Sequence, residues 1–98
     1  MPERTIPESA VIVVAEGVLA SDFGAEQVIL NLRDGIYYGL EDVGSRIWQL
    51  LQRPTTVPAL RATLVEEYDV EPDRCERDLL ALIADLSARG LVTIRERP

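Results

Sequence analysis

The stretch QVILNLRDGIYYGL, residues 27–40, sets an Asp-Gly pair between two runs of β-prone residues. Asp34 and Gly35 tolerate the positive φ of a tight turn, so the segment is predicted to fold as an antiparallel hairpin. Two loop lengths compete. A two-residue loop sets Leu32 against Tyr37 and Leu30 against Gly39, which leaves both faces half apolar. A three-residue loop, Arg33-Asp34-Gly35 with Gly35 left-handed, gathers Val28, Leu30 and Leu32 with Ile36, Tyr38 and Leu40 on one face. The second register is preferred. It turns Tyr38 inward and leaves Tyr37 outward, together with Ile29, Asn31 and Gly39.

Around this hairpin the chain divides cleanly. MPERTIPES, residues 1–9, has two prolines and little to bury, and is expected to be a flexible tail before a single domain over residues 10–98. AVIVVAEGVLA, residues 10–20, is rich in β-branched residues and reads as a first strand. Asp42 is the expected N-cap of a helix in which Val43, Ile47, Leu50 and Leu51 repeat at helical spacing until Pro54 stops it. Thr55 or Thr56 caps a second helix, with Pro58 in its first turn and Leu60, Leu64 and Tyr68 on its apolar side. Pro72 opens a third. Its stripe of Cys75, Leu79, Leu82, Ile83 and Leu86 is widened by Leu80, Ala81 and Ala84. Gly90 falls just past the C-cap, where Leu91 can fold back on Leu86. LVTIRE is a last extended piece. The expected fold is α+β, winged helix-turn-helix-like, with a three-stranded antiparallel sheet packed on three helices.

Several chemistries are disfavoured by composition. There is no histidine and one cysteine, Cys75, so the chain offers no zinc set, no internal disulfide and no base for a nucleophilic triad. Glu66-Glu67 and Asp73 with Glu76 read as solvated helix faces, and no glycine loop cradles a phosphate. The chain is therefore expected to be no enzyme and to need no cofactor. No apolar run is long enough for a membrane span and no signal peptide is evident, so a cytoplasmic protein is expected. Ten basic residues against seventeen acidic ones give a net charge of −7, which works against nucleic acid and anionic membranes.

The winged-helix pattern raises a DNA-binding regulator as an alternative, with the third helix in the major groove. PDRCERDLLALIADLSARG, however, carries three arginines against four acidic residues and spends its surface on leucine and alanine. A different use suits the strand IYYGL. If it ends the meander, its outer edge has no proline or lysine to blunt it and can take an extended peptide as a further strand.

Residues 28–92 resemble the PqqD-like proteins, or RiPP recognition elements, in the DG turn followed by YYGL, in VGSRIW, in LVEEYDV and in CERDLLALIADLSARGLV. The resemblance implies a domain that binds the leader segment of a ribosomally made precursor peptide and presents it to a leader peptidase or other modifying enzyme. As a discrete chain it looks most like the members of lasso-peptide clusters. Carried over by residue, the strand edge is Ile36, Tyr37, Tyr38, Gly39 and Leu40, and the helix wall is Arg74, Cys75, Asp78, Leu79 and Leu82. The chain departs from the family at Glu41, where an asparagine-like residue is usual.

Overall fold

The structure, a computed structural model, describes residues 6–96. Five strands and three helices follow one another as β1 (Val11–Val14), β2 (Val18–Asp22), β3 (Glu26–Asn31), β4 (Ile36–Glu41), α1 (Val43–Leu50), α2 (Val57–Glu67), α3 (Pro72–Ala88) and β5 (Val92–Arg95). The antiparallel sheet β2-β3-β4 packs on the helices, and β1 pairs with β5 in a separate two-stranded ribbon.

The expected single strand over residues 10–20 is two. Gly17, at φ 78°, turns the chain between β1 and β2, and the halves join different sheets. Leu32 N–H donates to the Gly17 carbonyl at 2.9 Å, which ties this turn to the hairpin. β1 is held on its other side by Thr55, since Ile12 and Thr55 exchange both backbone bonds. The expected flexible tail falls partly outside the described residues, at 1–5; Ile6 packs against the core, and Ala10 N–H donates to the Pro7 carbonyl.

The hairpin register also differs from the expected one. Asn31 faces Ile36 and Ile29 faces Tyr38, so the loop is Leu32–Gly35, four residues. Relative to the expected pairing the β3 strand is slipped by one, which exchanges its faces. Gln27, Ile29 and Asn31 point inward, while Val28, Leu30 and Leu32 point out. Tyr38 and Leu40 do lie inward and Tyr37 outward, as expected. Side-chain bonds account for the longer loop. Asn31 Oδ1 accepts from the Arg33 N–H at 2.9 Å, and Asp34 Oδ1 accepts from the Ile36 N–H at 2.9 Å. Inward polar groups are satisfied rather than excluded: Gln27 Nε2 donates to Ser45 Oγ, and Asn31 Nδ2 donates to the Arg89 carbonyl at 3.0 Å.

The helices follow their punctuation. Thr56 Oγ1 accepts from the Ala59 N–H and caps α2 behind Pro58. Past α3, Gly90 N–H donates to the Ser87 carbonyl and Leu91 N–H to the Leu86 carbonyl, both bonds of a Schellman motif, with Gly90 at φ 74°. Asp42 departs from expectation. It occupies the N-cap position of α1, yet its side chain makes no capping bond and its backbone sits at φ 53°, ψ −119°. The constraint is the abrupt change from strand to helix: Asp42 N–H still donates to Ala25 across the sheet, while its carbonyl already accepts from Arg46.

Ile12, Ile29, Trp48, Leu51, Leu60, Leu64, Leu79, Ile83 and Leu86 form one buried core between sheet and helices. Burying each such aliphatic side chain contributes about 1.5–3 kcal/mol relative to exposure. Arg46 grips Glu67 with both Nε and Nη2, at 2.8 and 2.7 Å, and so pins α1 to the end of α2. The pairing pulls the Glu67 carboxyl below its ordinary range and raises the Arg46 guanidinium.

Candidate peptide-binding edge and cleft

β4 borders β3 on one side and no strand on the other among the described residues. Residues in an antiparallel strand bond alternately to the two neighbours. Asp42 N–H reaches Ala25 on the β3 side, whereas Phe23 N–H meets Glu26 and Leu32 N–H meets Gly17 on the β2 side. The alternation therefore assigns Ile36, Tyr38 and Leu40 to the β3 ladder. Tyr37, Gly39 and Glu41 turn their N–H and C=O groups to the open edge, and all three residues are exposed.

The last turns of α3 meet the inward face of β4 through a polar link at Tyr38. Tyr38 Oη donates to Asp85 Oδ2 at 2.6 Å, Arg89 Nε reaches Asp85 Oδ1 at 3.2 Å, and the Arg89 guanidinium lies 4.6 Å above the Tyr38 ring. The hydrogen bond, with burial behind it, raises the Tyr38 phenol above its ordinary range, and the same bond holds the Asp85 carboxyl below its own. Tyr38 is half-buried against the core, not a full member of it.

Farther toward the start of α3 a cleft of about 800 Å³ opens between α1, the α2–α3 connection and α3. Its floor is apolar, with Ile47, Leu64 and Leu79 all buried. All five residues expected on the helix wall, Arg74, Cys75, Asp78, Leu79 and Leu82, line it. Cys75 is 9% exposed, and burial pushes its thiol up. Arg74 and Asp78 stand at the rim as a loose, exposed pair 3.8 Å apart.

The strand residues do not line this cleft. Edge and cleft adjoin where α1 begins: a Cβ on Gly44 would lie 3.2 Å from Leu40 Cδ2, so the bare glycine lets the helix start close against the strand. Residues missed by sequence reasoning are Val43 and Gly44 at that junction and Tyr68 and Val70 on the opposite bank, with Asp85 and Arg89 in the polar link. Val43 and Val70 are both apolar and exposed, a feature that only the folded chain reveals.

A family model described as coenzyme PQQ synthesis protein D (PqqD) matches residues 26–92. Among solved structures, TbiB1 in complex with the TbiA(beta) leader peptide is 32% identical, with a TM-score of 0.78 over 82% of this chain and 93% of that one. A lasso peptide synthetase B1 complexed with the leader peptide is 27% identical, with a TM-score of 0.75 over 84% and 96%. No curated protein matches the chain. No helix among the described residues is long and apolar enough to cross a membrane.

Proposed function

The chain belongs to the PqqD family, and from that membership we propose that it binds the leader segment of a ribosomally synthesised precursor peptide and presents it to processing enzymes in peptide natural-product biosynthesis, specifically that of lasso peptides. The observation that carries this reading is the open edge of β4, with Tyr37, Gly39 and Glu41 turned outward beside an apolar cleft. Strand addition supplies sequence-independent affinity through backbone bonds, and the flanking surface supplies selectivity. The two similar structures, each solved with a leader peptide, support the same reading.

In this role the protein is a carrier that performs no chemistry itself and acts in the cytoplasm, where the precursor is made. A leader peptidase or other modifying enzyme then has to dock on a second surface. The outer face of the sheet suits it, because Leu19, Leu30 and Tyr37 form a cross-strand row there, with Leu19 58% and Tyr37 66% exposed.

Fluorescence anisotropy tests the carrier role, using labelled leader peptide from the nearest short open reading frame, a scrambled leader and a DNA duplex. Saturable binding of the leader alone is expected. Salt-sensitive binding of the duplex without the leader would overturn the proposal and restore the DNA-binding regulator.

A further inference from the structure

Gly39 leaves a gap in the outer face of the sheet, between Tyr37 and Glu41 along β4. It lies on the outer face of β4, directly across from Val28 of β3, and a Cβ built on it would meet nothing within 4 Å. Val28 is 39% exposed beneath that gap. Glycine inside a strand weakens it and often marks the close approach of another group. Here no part of the described chain makes the approach.

A strand added to β4 in the antiparallel sense of the sheet has its side chains placed by the backbone frame. Residues opposite Tyr37, Gly39 and Glu41 exchange backbone bonds with them and share their outward face. Residues between point inward, toward Tyr38, Leu40 and α3. The residue opposite Gly39 therefore extends over the gap. Neighbouring strands lie about 4.8 Å apart, so Val28 is roughly 10 Å from the added backbone, two strand spacings away. A short aliphatic side chain stops above Gly39. A flat aromatic ring crosses the glycine and reaches Val28, covering an edge glycine in the way cross-strand aromatics do.

We infer that Gly39 and Val28 form a specificity site for an aromatic side chain of the leader, carried by the residue that exchanges both backbone bonds with Gly39. The inference rests on strand addition to β4 as proposed above. It gives the outer face a role in selecting the peptide, separate from the cleft that faces inward.

The test is a display selection of short random peptides against the full chain and against its Gly39→Val variant. Selected binders are then measured by anisotropy with the aromatic residue intact or replaced by alanine. The valine Cβ has free space and suits a strand, so the variant should fold, which circular dichroism checks; Gly39→Ala serves as a milder second variant. With glycine at 39, loss of the aromatic is expected to weaken binding about tenfold. With valine at 39, which fills the gap, the same loss should change affinity less than twofold, with alanine giving an intermediate effect. An equal loss in all three proteins would overturn the inference. Peptides that are blocked by Gly39→Pro yet show no aromatic preference would overturn it while leaving strand addition standing. If no selected peptide is blocked by Gly39→Pro, edge binding itself falls and takes the aromatic site with it.

Discussion

Tyr38 Oη donates to Asp85 Oδ2 at 2.6 Å, and this bond is the polar seam between the edge strand and α3. Its two groups are shifted in opposite directions, the carboxyl down and the phenol up. A depressed carboxyl contributes stability above its unfolded pKa, near 4, which is lost as pH falls through the folded value. A raised phenol contributes stability that is complete below its unfolded pKa, near 10, and is lost as pH rises through the folded value. The stability difference between the natural chain and Tyr38→Phe should thus be full from about pH 4 to pH 10 and shrink beyond either end. Because Asp85 is 43% exposed, about 1 kcal/mol is expected rather than the larger value of a buried charged bond. Urea unfolding across pH checks both the size and the shape; a difference that stays flat into acid would place the bond elsewhere.

The outward N–H of Gly39 is the central donor of the open edge. Gly39→Pro deletes that donor without touching the β3 ladder, whose bonds come from Tyr38 and Leu40. The variant should melt within a few degrees of the natural chain, yet lose leader affinity by at least about tenfold. Normal affinity in a folded Gly39→Pro protein would mean that the peptide binds away from β4.

Much of this arrangement was readable because the punctuating residues act locally. Pro58, Pro72 and Gly90 mark helix ends through φ and missing donors, which the rest of the fold cannot override. The hairpin was read one residue out of register for the opposite reason. Apolar alternation assigns Val28 and Leu30 to the core, but the inward positions belong to Gln27 and Asn31, whose partners Ser45 and Arg89 are distant in sequence. The wall of α3 was legible from its stripe; the far bank of the cleft, at Tyr68 and Val70, depends on how two helices converge and has no local signature.

Asn31 is then the residue that holds the register, since it joins the loop to the end of α3. Asn31→Leu would satisfy the apolar pattern while leaving the Arg33 N–H and the Arg89 carbonyl without their partner. A loss of about 2 kcal/mol is expected in denaturant unfolding. A gain in stability would show that burial, not the polar bridge, sets the pairing of β3.

Asp42 offers a change in the other direction. A non-glycine residue at φ 53°, ψ −119° carries about 1–3 kcal/mol of strain, and its side chain returns no capping bond. Glycine relieves the strain and costs about 1 kcal/mol in chain entropy. Asp42→Gly should therefore stabilise by about 1 kcal/mol, and Asp42→Val should destabilise by more than that. Thermal melts of the two variants moving in the same direction would refute the strained junction.

Cys75 reports on the cleft directly, because it lines the floor and is the chain's single thiol. Burial raises its pKa, so the thiolate fraction at neutral pH is smaller than that of a free cysteine. Modification by a disulfide reagent at pH 7 should be slower than for free cysteine by about tenfold or more, and should climb only in alkaline solution. Bound leader that reaches the cleft should slow it further, whereas leader confined to the edge of β4 would leave the rate unchanged. The rate with and without peptide thus separates the two halves of the site, and a thiol that reacts at the free rate would show that the cleft floor is open to solvent.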